Sequence, residues 1–214
     1  MFYKVLNIRD LSPSTYILRL ERKKLDFKPG QCFNLGLKDH GINREYSIYS
    51  GVDDPYLEFL IKEVRKGSVS PALRKVKPGE EVALHGPYGA FIINIEKIKN
   101  TLFTFIATGT GIAPFHSFVR TYHNLDYRII NGIRTAEERY DYDDYDHKRL
   151  TTCITRDDCW SGFKGRVTDY IQKNHIDPTH IYFLCGNQGM IREGYDLLRL
   201  KGVSGDHIFT EAFF

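Results

Sequence analysis

Cysteine is scarce and scattered. The 214 residues contain only Cys32, Cys153, Cys159 and Cys185, too irregularly spaced for a zinc ribbon or a cysteine-ligated iron–sulfur cluster, both of which need close pairs or runs. A disulfide framework is equally out of place in a chain long enough to bury its own core. Any redox chemistry must therefore use a bound organic cofactor. Long hydrophobic runs are missing as well: none approaches the roughly 18–20 residues that span a bilayer, and residues 1–10 lack the basic start and apolar stretch of a secretory signal. The expectation is a soluble, cytoplasmic protein with no membrane span. HExxH, GxSxG and GxxxxGK do not occur, so metalloprotease, serine-hydrolase and phosphate-loop readings have no support.

Nor does one charge prevail: 30 Lys and Arg stand against 27 Asp and Glu, a formal +3. The first 100 residues carry 17 basic and 12 acidic side chains, the remainder 13 and 15. Without interleaved aromatics, that mild asymmetry does not make a nucleic-acid surface. The acidic stretch 141–146 lacks the central glycine and closing glutamate of a calcium loop and reads as a solvated helix end. No metal site is expected.

What is present is a change of period near residues 95–100. Before it, short alternating segments at 3–8, 15–20, 31–37, 45–49, 57–64 and 81–84 are separated by turn formers, which predicts a six-stranded antiparallel barrel. After it, apolar runs at 101–107, 128–133, 151–155, 181–185 and 208–209 alternate with helical spacing at 112–122, 136–149, 167–174 and 190–200. Strict alternation predicts a five-stranded parallel sheet covered by helices, a class that binds ligands at the carboxyl ends of its strands. The expected fold is a two-domain β plus α/β chain, divided into 1–95 and 96–214.

Three segments carry chemistry. Residues 107–114, Ala-Thr-Gly-Thr-Gly-Ile-Ala-Pro, follow a buried strand and open a helix, where glycines let backbone N–H groups approach a phosphate. Read alone, the segment is either a dinucleotide loop or a structural turn, since Pro114 stands where a full GxGxxG has its third glycine. In 67–73, Gly-Ser-Val-Ser-Pro-Ala-Leu, Ser70 reads as an N-cap with Pro71 at the first helical position, either an anion site or simply a capped helix. In 44–50, Arg44, Tyr46 and Ile48 fall on one strand face and Glu45, Ser47 and Tyr49 on the other. An arginine for phosphate, a tyrosine to stack on a flat ring and a neighbouring serine suit a flavin, although an amphipathic barrel strand has the same pattern.

In sequence order, RxYS at 44–47, GSVSPAL at 67–73, GPYG at 86–89, GTGIAP at 109–114 and LCGN at 184–187 resemble the ferredoxin–NADP reductase family. The likeness runs from Pro29-Gly30-Gln31 to Phe214. It implies a flavin-binding barrel followed by a nicotinamide-nucleotide domain, with FAD and NADP(H) as cofactors. By the same resemblance, Arg44 pairs with the flavin pyrophosphate, Tyr46 packs on the isoalloxazine and Ser47 lies near its N5. Val69 and Ser70 supply phosphate donors. Gly109, Thr110 and Gly111 cradle the second pyrophosphate, and Cys185 contacts the nicotinamide, unless it is only a small buried residue. Arg134, Arg156 and Arg166 match the family's basic positions for the NADP 2′-phosphate. At the tail, Phe213 is expected against the flavin and Phe214 on adenine, with Glu211 either moving a proton near Ser47 or holding the tail. The implied activity is hydride transfer between NADPH and FAD with single electrons passed to or from ferredoxin or flavodoxin, acidic carriers that suit a basic barrel. Two alternatives stand beside it: an NADH-dependent reductase component for an oxygenase or free flavin, and a flavin-binding electron-transfer subunit without turnover of its own.

Overall fold

The computed structural model describes residues 1–213, with all their side chains except those of Lys97 and Asn100. The chain forms two compact units: Met1–Ile92 together with Ala113–Thr121, and Ile93–Ile112 together with the chain from Tyr122 onward.

The first unit begins with β1 (Phe2–Ser12) and β2 (Thr15–Glu21). In β1 the strand period is visible directly: Tyr3 and Val5 are buried while Phe2, Lys4 and Leu6 are exposed. β3 (Cys32–Leu37), β4 (Asn43–Ser47), β5 (Tyr56–Lys62), the one-turn helix α1 (Ser70–Leu73) and β6 (Glu81–Tyr88) complete the barrel segment. All pairings are antiparallel, in the order β4-β3-β6-β1-β2-β5. A bridge between Ile48 and Phe59, with Tyr49 N donating to Glu58 O at 2.8 Å, joins the two edges and closes the barrel. Its interior includes Tyr16, Leu18, Phe33, Leu35, Ile48, Phe59 and Leu73, these seven being fully buried.

Ser70 does not act as the expected N-cap. Val69 occupies that position in helical conformation, and the Ser70 hydroxyl instead accepts from Val64 N at 3.0 Å. Pro71 sits in the first turn and has no N–H to offer. The turn is fixed from outside by Tyr16, whose hydroxyl donates to Ser70 O at 2.6 Å, and by Arg74 just past it. Arg74 bonds Asp10 (2.7 Å), Glu63 (2.8 Å) and Pro13 O (2.9 Å), tying three separate segments. Arg74→Ala is therefore expected to lower the stability of this unit by about 1–2 kcal/mol, a sum over partly exposed charge-assisted bonds. A lower urea midpoint with an unchanged slope is the corresponding observation.

Helix α2 (Ala113–Thr121) packs with this unit. His116 Nδ1 lies 2.7 Å from Tyr49 O with its ring stacked on Tyr49 at 3.7 Å, and Ser117 Oγ donates to Ser50 O at 2.7 Å. Arg120 pairs with Asp54 at 2.7 Å, and Val52 N donates to Thr121 Oγ1 at 3.1 Å. One face of the helix thus holds the segment that directly follows β4.

The second unit contains β7 (Phe103–Thr108), β8 (Tyr127–Ile133), β9 (Leu150–Ile154), β10 (Phe163–Lys164), helix α3 (Val167–Lys173), β11 (Ile181–Asn187), helix α4 (Gln188–Leu200) and β12 (Ile208–Phe213). The sheet is wholly parallel, in the order β10-β9-β8-β7-β11-β12. It has six strands rather than five, because the two-residue β10 pairs Phe163 with Cys153 and Lys164 with Ile154. Two residues carry no readable period. One sheet face buries Ile106, Ile130, Cys153 and Leu184 with α3 and α4 residues. On the alternate positions Phe105, Phe183 and Phe209 make ring contacts.

The helix expected over 136–149 is absent. Single 3₁₀ turns at Ala136–Glu138, Tyr142–Asp144 and His147–Arg149 stand in its place. The break has a local cause: Asp141 adopts φ +43°, in the left-handed region. The stretch 141–146 is accordingly no solvated helix end, for Tyr145 is buried at 4 % exposure while Asp143 and Asp144 face solvent.

Candidate functional site

In the first unit, β4 presents Arg44 to solvent, Tyr46 half-buried and Ser47 at 4 % exposure. Arg44 lies opposite Leu35 and Ser47 opposite Cys32. The Arg44 guanidinium donates to the neighbouring Asn43 O at 2.9 Å and otherwise points to solvent. Tyr46 packs against the barrel core, where burial pushes its hydroxyl up to about 12, so that it remains a neutral donor at neutral pH. Across the strand pair, Cys32 Sγ donates to Glu45 Oε1 at 2.6 Å.

Tyr16 gathers two of the motifs. Its burial, followed by the neighbouring Tyr46 hydroxyl, raises its pKa far above the usual tyrosine range, and its hydroxyl donates to Ser70 O. Residues 46 and 70 are thereby brought around one buried ring. The Val69 side chain is part of the barrel core at 5 % exposure, which leaves only its backbone N–H for a ligand. Sequence reasoning missed Tyr16, 54 positions from Ser70, and the α2 face formed by His116, Ser117, Arg120 and Thr121. The helical spacing of those four polar residues was a usable signal.

In the second unit the carboxyl ends of β7 and β11 meet. Asn187 N donates to Thr108 Oγ1 at 3.0 Å, and the Asn187 side chain caps α4 by accepting from Gly189 N at 2.9 Å and Met190 N at 3.3 Å. Between them runs the turn Gly109–Ile112. Gly109 has φ +55° with nothing within 4 Å of where a Cβ would stand, an open cradle at the strand end. Gly111 is the opposite case: a Cβ there would lie 2.3 Å from Cys185 O and 2.7 Å from Gly186 Cα. Thr110, between them, is half-exposed.

Cys185 is fully buried, beside Ala107 on one side and Glu211 on the other in the sheet register. Its thiol is 3.9 Å from Glu211 Oε2, and burial, followed by the Glu211 charge, holds it well above the ordinary thiol value. Strand period puts Glu211 and Phe213, both half-buried, on the same sheet face as Cys185, with Phe213 opposite Asn187. Phe214 lies outside the described residues.

Cys153 is likewise pushed up, to about 12, first by burial and then by Asp169. A raised value means that the fold favours the neutral thiol. That stabilisation is complete below the ordinary value of 9.0 and declines as pH rises from there toward about 12. At pH 8 iodoacetamide should accordingly modify the exposed Cys159 first, with Cys153 and Cys185 protected until the protein unfolds, as read by peptide mass spectrometry.

The three arginines follow successive strand ends. Arg156 N donates to Arg134 O at 2.8 Å, and Gly165 N donates to Ile154 O at 2.9 Å, so the backbones at 134, 156 and 165–166 are neighbours. Arg156 and Arg166 are exposed. Arg134 differs. The buried Glu138 carboxylate accepts from its backbone N at 2.8 Å, from Nε at 2.8 Å and from Nη2. That carboxylate also raises the Arg134 ionisation.

Comparison with known proteins divides the chain in the same sequence order. Residues 3–93 match the oxidoreductase FAD-binding domain family and residues 105–194 the oxidoreductase NAD-binding domain family. The flavodoxin/ferredoxin–NADP reductase of Escherichia coli is 28 % identical over 89 % of this chain and 86 % of its own length. The toluate 1,2-dioxygenase electron transfer component of Pseudomonas putida is 29 % identical over 98 % of this chain, which spans 66 % of that relative. Among solved structures, a ferredoxin NADP⁺ reductase from Neisseria gonorrhoeae with bound FAD and NADP aligns with TM-score 0.88 at 22 % identity, covering 100 % of this chain and 98 % of the other.

Proposed function

This chain belongs to the ferredoxin–NADP reductase family, and from that premise we propose that it accepts hydride from NADPH onto FAD and passes electrons one at a time to ferredoxin or flavodoxin. One observation carries the reading: the chain matches a flavin-binding domain family and then a nicotinamide-nucleotide-binding one, in that order. The residues fit those groups. An exposed guanidinium stands beside a half-buried tyrosine on β4, and an open glycine turn lies at the carboxyl end of β7. No helix among the described residues is long and apolar enough to cross a membrane. With NADPH and a soluble carrier as partners, the proposed compartment is the cytoplasm.

In this reading Arg44 binds the flavin pyrophosphate by charge-assisted hydrogen bonds, with Val69 N–H and the Ser70 hydroxyl as further donors. Tyr46 and Ser47 orient the ring. FAD, when bound, supplies the conversion between a two-electron donor and a one-electron acceptor. The backbone of Gly109, Thr110 and Gly111 receives the nicotinamide dinucleotide's pyrophosphate, as strand ends in parallel sheets do. Arg156 and Arg166 bind the 2′-phosphate, and Glu211 holds the tail beside Cys185. Heat release of the bound chromophore followed by chromatography tests the flavin part: one FAD per chain supports it, and FMN or no flavin contradicts it.

The NADH-dependent alternative is favoured by one observation, the pairing of Arg134 with Glu138, which reduces the positive charge available to a 2′-phosphate.

A further inference from the structure

We infer that Glu138 limits the preference of this chain for a 2′-phosphorylated nucleotide by compensating the charge of Arg134. The inference rests on the 2′-phosphate reading above and adds a determinant to it. Glu138 sits in the turn Ala136–Glu138 directly after β8, and its carboxylate is buried, 8 % of the residue being exposed. A buried carboxylate needs donors. Arg134 supplies three: its backbone N–H, Nε and Nη2. The guanidinium is thereby held by one edge, while Nη1 has no partner among the described residues and the side chain remains 42 % exposed.

This geometry has two consequences. The bidentate edge that would grip a phosphate already grips a carboxylate, and the pair carries no net charge. A dianionic 2′-phosphate approaching Arg134 meets the attraction of the guanidinium largely offset by the carboxylate behind it. A ribose 2′-hydroxyl does not suffer that opposition and can accept from Nη1. Discrimination in favour of the phosphate therefore falls to Arg156 and Arg166, whose backbones adjoin Arg134 and whose side chains are exposed.

The test is calorimetric titration of the purified full-length protein with 2′-phospho-AMP and, separately, 5′-AMP. Glu138→Gln keeps the shape and an acceptor oxygen but removes the charge. It should tighten 2′-phospho-AMP roughly tenfold while leaving 5′-AMP within about twofold. Unchanged or weaker binding of 2′-phospho-AMP by a folded E138Q protein overturns the inference. If E138Q does not fold, R134Q/E138Q decides. Removing the whole compensated pair should alter 2′-phospho-AMP affinity by no more than about threefold, and a loss of tenfold or more contradicts the inference. Arg156→Ala separates the two levels. If it leaves both titrations unchanged, the phosphate reading itself has failed and the Glu138 inference falls with it. If it weakens 2′-phospho-AMP alone while E138Q has no effect, only the Glu138 inference is lost.

Discussion

Gly111→Ala is expected to destabilise the second unit by about 3 kcal/mol and to abolish nicotinamide-nucleotide binding, an effect at the upper end for overpacking because the obstacle is backbone. The added methyl would stand 2.3 Å from Cys185 O and 2.7 Å from Gly186 Cα, where no side chain can rotate away. Relief requires the carboxyl ends of β7 and β11 to separate. The same ends are joined by Asn187 N to Thr108 Oγ1, and Asn187 caps α4, so the displacement propagates into the helix that covers the sheet. For a unit of this size, each kcal/mol corresponds to a fall in Tm of about 4–8 °C. Gly109→Ala is the informative contrast. Its Cβ would meet nothing, so its cost is that of a left-handed φ alone, about 1 kcal/mol, and its effect should appear as weaker nucleotide binding more than as lost stability. Differential scanning calorimetry together with NADP⁺ titration of the two variants would distinguish these outcomes.

Arg156→Ala combined with Arg166→Ala is expected to reduce kcat/KM for NADPH by roughly 10²–10⁴ while changing NADH use by less than about threefold, since hydrogen bonds to charged groups contribute about 1.5–3 kcal/mol each. Both guanidinium groups are exposed in the free protein, so their removal leaves no buried group unsatisfied and should not disturb folding. The loss should diminish as ionic strength rises, because the interaction is between exposed charges. Equal losses with both dinucleotides would mean that these arginines hold the protein together or meet another part of the ligand.

Much of this architecture is legible in local pattern. Alternation marks the barrel strands because one face of each is buried, as Tyr3 and Val5 against Phe2 and Lys4 illustrate in β1. The parallel strands are legible as apolar runs because both of their faces are covered. What escapes local reading depends on contacts distant in sequence or on a single residue. β10 is two residues long and exists only through its pairing with β9. The helical spacing of 136–149 is real as a pattern, but Asp141 takes a left-handed conformation and Glu138 turns back to Arg134, so the segment breaks into separate turns. Ser70 has the look of an N-cap, yet Val64 N occupies its hydroxyl and Tyr16 holds its carbonyl. At the candidate sites, residue types and spacing pointed to flavin and nucleotide chemistry. They did not reveal that Val69 is a core residue by its side chain, that Cys185 is wholly enclosed, or that Arg134 already has a carboxylate partner.

Anaerobic rapid mixing of the purified protein with NADPH and, separately, with NADH interrogates cofactor, hydride transfer and nucleotide preference in a single measurement. A yellow protein whose flavin absorbance near 450 nm is bleached by NADPH, and more slowly by NADH at the same concentration, is the expected result. A colourless protein, or a yellow one that neither nucleotide bleaches, would contradict the proposed function.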